Sequence, residues 1–245
     1  MPDDENNNNS LIPIHNTGLI KVGNIIKITD KVLKEYSERT LAVYYKSVII
    51  GDQEWMIENL NVDRFRNGVR ETIPEAKTDK EWEKAGKEGT PAWCYYNNNP
   101  ENGEKYGKLY NWYAVNDPRG LAPEGWHIPS DYEWTQLVDH LGGENIAYSQ
   151  MKAESDWIED DGNNESGFTA MPGGYRVRNV LMDSKNDEYP FRNMGYNSFW
   201  WTSSWYPIDD VSWCFCWFIS HNAITKSKCY PKIDGFSVRC IKDKI

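Results

Sequence analysis

The clearest periodic signal in the chain begins at Ser130. Trp134, Leu137, Val138 and Leu141 recur at helical spacing, Ser130 and Glu133 form a capping box ahead of them, and Gly142-Gly143 ends the run. The same logic predicts a short capped helix over 78–84, opened by Thr78 and Glu81 and closed by Gly86, and a weaker helix over 145–153. Residues 95–107 are rich in Asn, Pro and Gly and read as loop. Two β-branched runs, 19–28 and 41–50, read as strands on either side of a charged turn or short helix. After residue 156 short aromatic strands alternate with turn residues, at 168–171, 174–177, 199–203, 211–220 and 236–241. From Trp213 to Phe218 both alternating faces are apolar, which predicts a central strand covered on both sides.

Composition sharpens this picture. Ten Leu in 245 residues are too few for a helical bundle, and the apolar mass has moved into 12 Trp and 15 Tyr. With 18 Gly and 12 Pro as turn formers, the balance favours short strands with much ordered loop. No internal repeat or break in composition interrupts 47–245, which reads as one domain behind a polar tether (1–10) and a β-rich extension (11–46). Mean hydropathy is -0.75 and no run approaches the roughly 20 apolar residues of a membrane span, so any membrane attachment is expected only through an N-terminal lipid anchor outside this chain. A net charge of -10 argues against nucleic acid as a partner.

The chemistry-bearing residues offer no reaction. His15, His127, His140 and His221 fit no metal pattern, and His127, just ahead of the capped helix, reads as a hydrogen-bonding structural residue. The acidic stretch 156–165 has oxygen ligands in number but the wrong spacing for an EF-hand, and reads as a solvated loop. Pairs such as Glu54 and Glu58 are what any acidic protein offers. No nucleophile signature surrounds Cys94, Cys214, Cys216, Cys229 or Cys240, and Cys214 and Cys216 share a strand face about 6.6 Å apart with parallel side chains, so they should not pair with each other. Neither metal nor cofactor is expected, and the chain reads as non-enzymatic. Trp213 and Trp217 are expected in the core. Trp205, Tyr206 and Tyr230, read as loop residues, lie near Asp209, Asp210, His221 and Asn222 in sequence, and these seven form the expected ligand-binding set: flat aromatic faces for sugar rings and polar groups for their hydroxyls.

Six motifs carry a resemblance. Ile-Gly-Asp-Gln-Glu-Trp-Met-Ile-Glu-Asn-Leu-Asn (50–61), Tyr-Gly-Lys-Leu-Tyr-Asn-Trp-Tyr-Ala-Val (106–115), Leu-Ala-Pro-Glu-Gly-Trp-His-Ile-Pro-Ser-Asp-Tyr-Glu-Trp (121–134), Asn-Glu-Ser-Gly-Phe-Thr-Ala-Met-Pro-Gly-Gly-Tyr-Arg (164–176), Trp-Trp-Thr-Ser-Ser (200–204) and Gly-Phe-Ser-Val-Arg-Cys-Ile-Lys-Asp (235–243) run in order. Together they resemble the Fibrobacter succinogenes major paralogous domain, whose motif layout is similar to C-type-lectin-like and formylglycine-generating-enzyme-like domains. The resemblance implies the α+β class and within it a C-type-lectin-like fold with short antiparallel strands, two helices and long ordered loops. It also implies an exported bacterial domain at the cell surface or outer membrane, often on a lipoprotein, and the polar stretch 1–10 would suit the tether behind a lipid anchor. It carries over no catalytic residue. The calcium-binding tripeptides of sugar-binding lectins are absent, and the paired redox cysteines of the formylglycine-generating enzymes find no match. The expected function is a surface binding module for a glycan or other extracellular ligand, held by loops between 201 and 236. The alternatives are an adhesin or assembly subunit that pairs with a surface protein by strand addition, and an oxidoreductase. Cys94 and Cys240 both fall within or beside family-like motifs, and read either as a disulfide, which export would permit, or as two separately buried thiols.

Overall fold

The structure is a computed structural model that describes residues 19–22, 25–28, 45–66, 71–177, 190–208 and 211–244, without the side chains of 19–22, 25–28, 206–208, 211–213 and 228–230. The chain divides into two compact units, Met1–Tyr44 and Tyr45–Ile245. In the first, β1 (Leu19–Val22) and β2 (Ile25–Ile28) pair antiparallel, Leu19 opposite Ile28. The apolar run 19–28 is therefore two paired strands and not a single one.

The second unit mixes helices and sheets. Its elements are β3 (Ser47–Ile50), β4 (Gln53–Met56), α1 (Asp79–Glu88), β5 (Trp93–Cys94), α2 (Glu101–Tyr106), β6 (Leu109–Tyr110), α3 (Trp112–Val115), β7 (Trp126–His127), α4 (Asp131–His140), α5 (Glu144–Met151), β8 (Gly173–Arg176), β9 (Phe191–Met194), β10 (Ser198–Ile208), β11 (Val211–Ile219), β12 (Ile224–Tyr230) and β13 (Ile241–Lys242). The described residues hold five α-helices, where periodicity predicts three and the resemblance implies two.

Local chemistry explains most helix ends. Thr78 and Ser130 each accept from the backbone N–H three residues on, while Glu81 and Glu133 reach back to the cap N–H, so both predicted capping boxes form. Helix α1 nevertheless passes Gly86 and stops at Gly89, which is left-handed at φ +66°. Gly86 has a tertiary task instead: a Cβ there would stand 2.0 Å from the Ile233 side chain. The Asn-rich stretch 95–107 is not loop throughout, because it holds a 3-10 turn at Tyr96–Asn98 and then α2. Its Asn side chains take over backbone partners, Asn99 Oδ1 accepting from Glu101 N at 3.1 Å and Asn102 Nδ2 donating to Tyr96 O at 2.9 Å. The expected strand 168–171 is also absent. Thr169 sits at φ +56°, its N–H held by Asn164 Oδ1 at 2.8 Å, and this left-handed residue interrupts any extended run.

The main sheet has the order β12-β11-β10-β8-β9 and is antiparallel except where β10 meets β8. A second sheet, β3-β4-β13-β7, joins the two ends of the unit, with Ile241 opposite both Trp55 and His127. Strand β11 lies inside the main sheet with both faces covered, as its sequence predicts. Cys214 and Cys216 join Phe199, Trp201 and Phe236 in one core, whereas Trp217 and Ile219 join Trp55, Trp134, Trp200 and helices α4 and α5 in the other. Ten of the 12 Trp are buried, because so few Leu are present to fill these layers. Trp217 is core as expected, and the side chain of Trp213 lies outside the described residues.

The closing segment from Gly235 to Asp243 ties the unit together. Only Ile241–Lys242 is regular strand; before it, single bridges join Gly235 to Arg176, Phe236 to Tyr110 and Ser237 to Trp200. Arg239 is wholly buried and, among the described residues, forms no ion pair. Its guanidinium instead donates to Met56 O at 3.0 Å, Phe168 O at 2.6 Å and Asn59 Oδ1 at 2.8 and 3.1 Å, over the face of Phe168. Burial draws its pKa down to about 9, which still leaves it cationic at neutral pH. Arg239→Met should therefore strand several buried acceptors, each worth about 1–3 kcal/mol, and lower the unfolding free energy by at least about 3 kcal/mol. Arg239→Lys should recover little, since one ammonium cannot span the fork. Urea unfolding of both variants measures this, and a loss below about 1 kcal/mol for Met would refute the assignment.

His127 is the hydrogen-bonding residue its position suggested. Its Nε2 meets Glu133 Oε1 at 2.8 Å and its Nδ1 meets Asp243 Oδ1 at 2.7 Å, so it links the start of α4 to the end of the chain. The bond to Glu133, with help from Asp243, holds the imidazole above its ordinary pKa against the pull of burial. Burial would raise Glu133, but His127 and Ser130 draw it down to about 2. The imidazole's contribution to stability is complete below its ordinary 6.5 and fades as pH rises through its higher folded value; the carboxylate's is complete above its ordinary 4.5 and fades as pH falls through about 2. Both are present in full between about pH 4.5 and 6.5. Thermal unfolding should show a higher midpoint at pH 5.5 than at pH 8.5, and His127→Gln should flatten that alkaline limb; an unchanged limb would exclude His127 as its source.

Candidate functional site

Of the seven residues expected to bind ligand, those the structure describes are divided between the two ends of the main sheet. Trp205, Tyr206 and Tyr230 are strand residues, not loop residues: Trp205 stands opposite Cys214 on β11, and Cys214 opposite Tyr230 on β12. The signal for β12 was present in its alternating Ile-Thr-Lys-Ser-Lys-Cys-Tyr, but two Lys mark it as an edge strand, which the sequence reading passed over. Trp205, 49% exposed, lies toward the β10–β11 end of the sheet. Asp209 and Asp210 are outside the described residues, as are the side chains of Tyr206 and Tyr230. His221 and Asn222, both exposed, sit in the β11–β12 turn. Five positions of strand separate Cys214 from Ile219, about 16 Å, and His221 follows in the turn beyond, so the aromatic row and the His221 turn are at opposite ends of the sheet.

A cavity of about 210 Å³ opens at the His221 end. Three segments build it: the acidic stretch after Ala153, the turn that leaves β9, and the β11–β12 turn. They contribute Trp157, Asp160, Tyr196, Asn197 and His221, and the cavity also reaches Lys152 at the end of α5. Lys152 is fully buried. Its Nζ donates to Asp160 O at 3.0 Å and to His221 O at 2.9 Å, stands 3.6 Å from Asp160 Oδ2, and lies 4.5 Å from the centre of the Trp157 ring. Burial lowers its pKa, against the pull of Asp160. One buried ammonium thus fixes two loops that are 61 positions apart in sequence.

The acidic stretch is ordered by specific contacts. Asp156 pairs with Lys105, Trp157 Nε1 donates to Ala170 O at 3.1 Å, and Asp161 Oδ1 accepts from Trp157 N at 3.0 Å. Gly162 is needed where the chain returns to the helix: a Cβ there would lie 2.5 Å from Lys152 O. Among the described residues, no group of three or more His, Cys, Asp or Glu could hold a metal. At the mouth Glu159 Oε2 lies 3.5 Å from His221 Nδ1. Beside it Ile158 and Tyr196 are 62% and 43% exposed, and Ile158 lies against Gly195, the neighbour of Tyr196. The site can therefore offer carboxylates, hydroxyls, an imidazole and apolar surface within one small concavity. Of the residues expected from sequence, His221 belongs to it; Lys152, Trp157, Tyr196 and Asn197 had no common signal, since only the fold brings them together.

This arrangement defines an α+β domain closed by its own C-terminal segment, with a polar cavity at one end of its main sheet. The chain belongs to the Fibrobacter succinogenes major domain family, whose model matches residues 48–242. No curated protein and no solved structure matches it. No helix among the described residues is long and apolar enough to cross a membrane.

The four cysteines whose side chains are described stand apart from the cavity lining, and the side chain of Cys229 lies outside the described residues. Cys94, Cys214, Cys216 and Cys240 are free and buried, so Cys94 and Cys240 are the separately buried thiols of the two readings, and no bridge joins them. Burial raises Cys94 to about 11 and Cys214 and Cys240 to about 12, and pushes Cys216 up as well. Since the thiolate is the reactive form, these four should resist a thiol reagent in the native protein and react together on unfolding. Peptide mapping after native labelling checks this; modification of any of the four before unfolding would contradict their burial.

Proposed function

We propose that this domain is a non-enzymatic binding module that holds one sugar unit of a glycan in the Lys152–His221 cavity. The observation that carries the reading is a concavity built around a fully buried ammonium, with aromatic Trp157 and Tyr196 beside the polar Asp160, Asn197 and His221. Aromatic faces with converging hydrogen-bonding groups suit a ring that is apolar on its faces and polar at its edge. The volume is below the roughly 300–1,000 Å³ of pockets for drug-sized ligands, which fits a single ring better than a chain. The expected aromatic set contributes His221 to this site and leaves Trp205 at the other end of the sheet as a competing location.

The finer fold that goes with this reading is C-type-lectin-like: a capped helix after Pro129-Ser130, a Trp-rich strand and a closing Gly-Phe-Ser-Val-Arg segment follow one another in that order. The same resemblance supports display on a bacterial surface, with residues 1–10 as the tether of a lipid-anchored protein. NMR titration with a panel of soluble mono- and oligosaccharides tests the binding reading. Tyr196→Ala and His221→Ala should each weaken the best ligand by about tenfold, the loss of one good contact. Full retention in both variants, or loss only in Trp205→Ala, would remove the cavity as the site, and binding of a purified surface protein without any sugar would favour the adhesin reading.

A further inference from the structure

The rim of the cavity selects among sugars. We infer that the unit it takes is an N-acylated amino sugar, an inference that rests on the glycan reading above. Two features sit side by side there that a plain hexose would not use together. The exposed ring of Tyr196 lines the cavity, and the exposed Ile158 lies just outside the lining, over Gly195, whose carbonyl accepts from Ile158 N at 2.9 Å. Exposed apolar residues set next to each other beside a concavity mark a place where something apolar docks. Next to them are the carboxylates of Glu159 and Asp160, which only accept hydrogen bonds, and the ammonium of Lys152, which only donates.

An N-acyl group matches this set in one substituent. Its methyl would cover Ile158 and Tyr196, its amide N–H would donate to a carboxylate at the mouth, and its carbonyl oxygen would accept from a donor at the cavity wall. The near alternatives fit worse, each for a stated reason. A free amino sugar would set its ammonium on carboxylates that already face Lys152 at 3.6 Å and His221 at 3.5 Å, and it brings neither the methyl nor the carbonyl. A uronate brings a carboxylate toward Glu159 and Asp160, which are themselves 57% and 44% exposed at the side chain. An unsubstituted hexose has no methyl and leaves Ile158 and Tyr196 in water. Ile158 is also held in place by the backbone: Gly195 is left-handed at φ +84°, and a Cβ there would fall 2.6 Å from Ile158 Cδ1.

The test uses the full chain and four probes, N-acetylglucosamine, glucosamine, glucose and glucuronate, titrated by calorimetry or NMR. N-acetylglucosamine should bind at least about tenfold more tightly than each of the others, the discrimination expected of one apolar contact plus one hydrogen bond. Ile158→Ser, a change at an exposed position, should erase most of the difference between N-acetylglucosamine and glucose. Equal affinity for the acetylated and parent sugars, or tighter binding of glucosamine or glucuronate, would overturn this inference and leave the glycan reading standing. Binding of none of the four, nor of any sugar in the wider panel, would overturn both.

Discussion

The fold depends on one buried cation that forms no ion pair among the described residues. Arg239 donates to Met56 O, Phe168 O and Asn59 Oδ1, and through Asn59 it is joined to Trp200 Nε1 at 2.9 Å and to Tyr106 O, which Asn59 Nδ2 reaches at 2.9 Å. These partners belong to stretches near residues 56, 106, 168 and 200, so five separate parts of the sequence meet at one guanidinium. A carboxylate could neutralise Arg239 but would add a second charge to desolvate. Carbonyls and an amide satisfy the fork with dipoles already present in the backbone. The geometry explains why the last segment need not be a regular strand: its place is set by Arg239 and by single bridges at Gly235, Phe236 and Ser237.

The aromatic core makes this kind of burial affordable in chemical terms, because a ring face attracts a cation where an aliphatic side chain does not. Arg239 lies 4.5 Å over Phe168, Arg176 4.7 Å over Trp82, Lys152 4.5 Å over Trp157 and Lys108 4.3 Å over Trp93. All four side chains are buried, and all four also bond to oxygen. The shortage of Leu and the excess of Trp are thus two sides of one design, in which large rings fill the layers and receive the cations that cross-link distant loops.

What could be read from the sequence was what is local. The capping boxes at Thr78 and Ser130, the two-faced strand from Trp213 to Phe218 and the family motifs depend on residues a few positions apart. Gly86 misled because its missing side chain serves Ile233, 147 positions away, while Gly89 ends the helix. The stretch 95–107 misled because Asn side chains there replace backbone partners and permit a short helix that composition argues against. The candidate site was half legible. His221 and the acidic stretch stood out, but their partner Lys152 is one polar residue at the end of a weak helix, and nothing near it in sequence says that two carbonyls from other segments will surround it.

The difference between Lys152 and the other buried cations is the last step. Arg239 and Arg176 are enclosed by core aromatics, and Lys108 is held by Asn61, whose main-chain and side-chain oxygens both accept from it. Lys152 uses the same chemistry, two backbone oxygens and a ring face, at the border of a cavity. There the cross-link does more than hold the fold, because the loops it joins carry Glu159, Asp160 and His221 to the surface in fixed positions. A rigid frame under exposed residues keeps the polar groups they carry in fixed relative positions. Substitution of the exposed side chains can then change the chemistry of the concavity while the buried lysine, its two carbonyls and the indole beside it keep its shape.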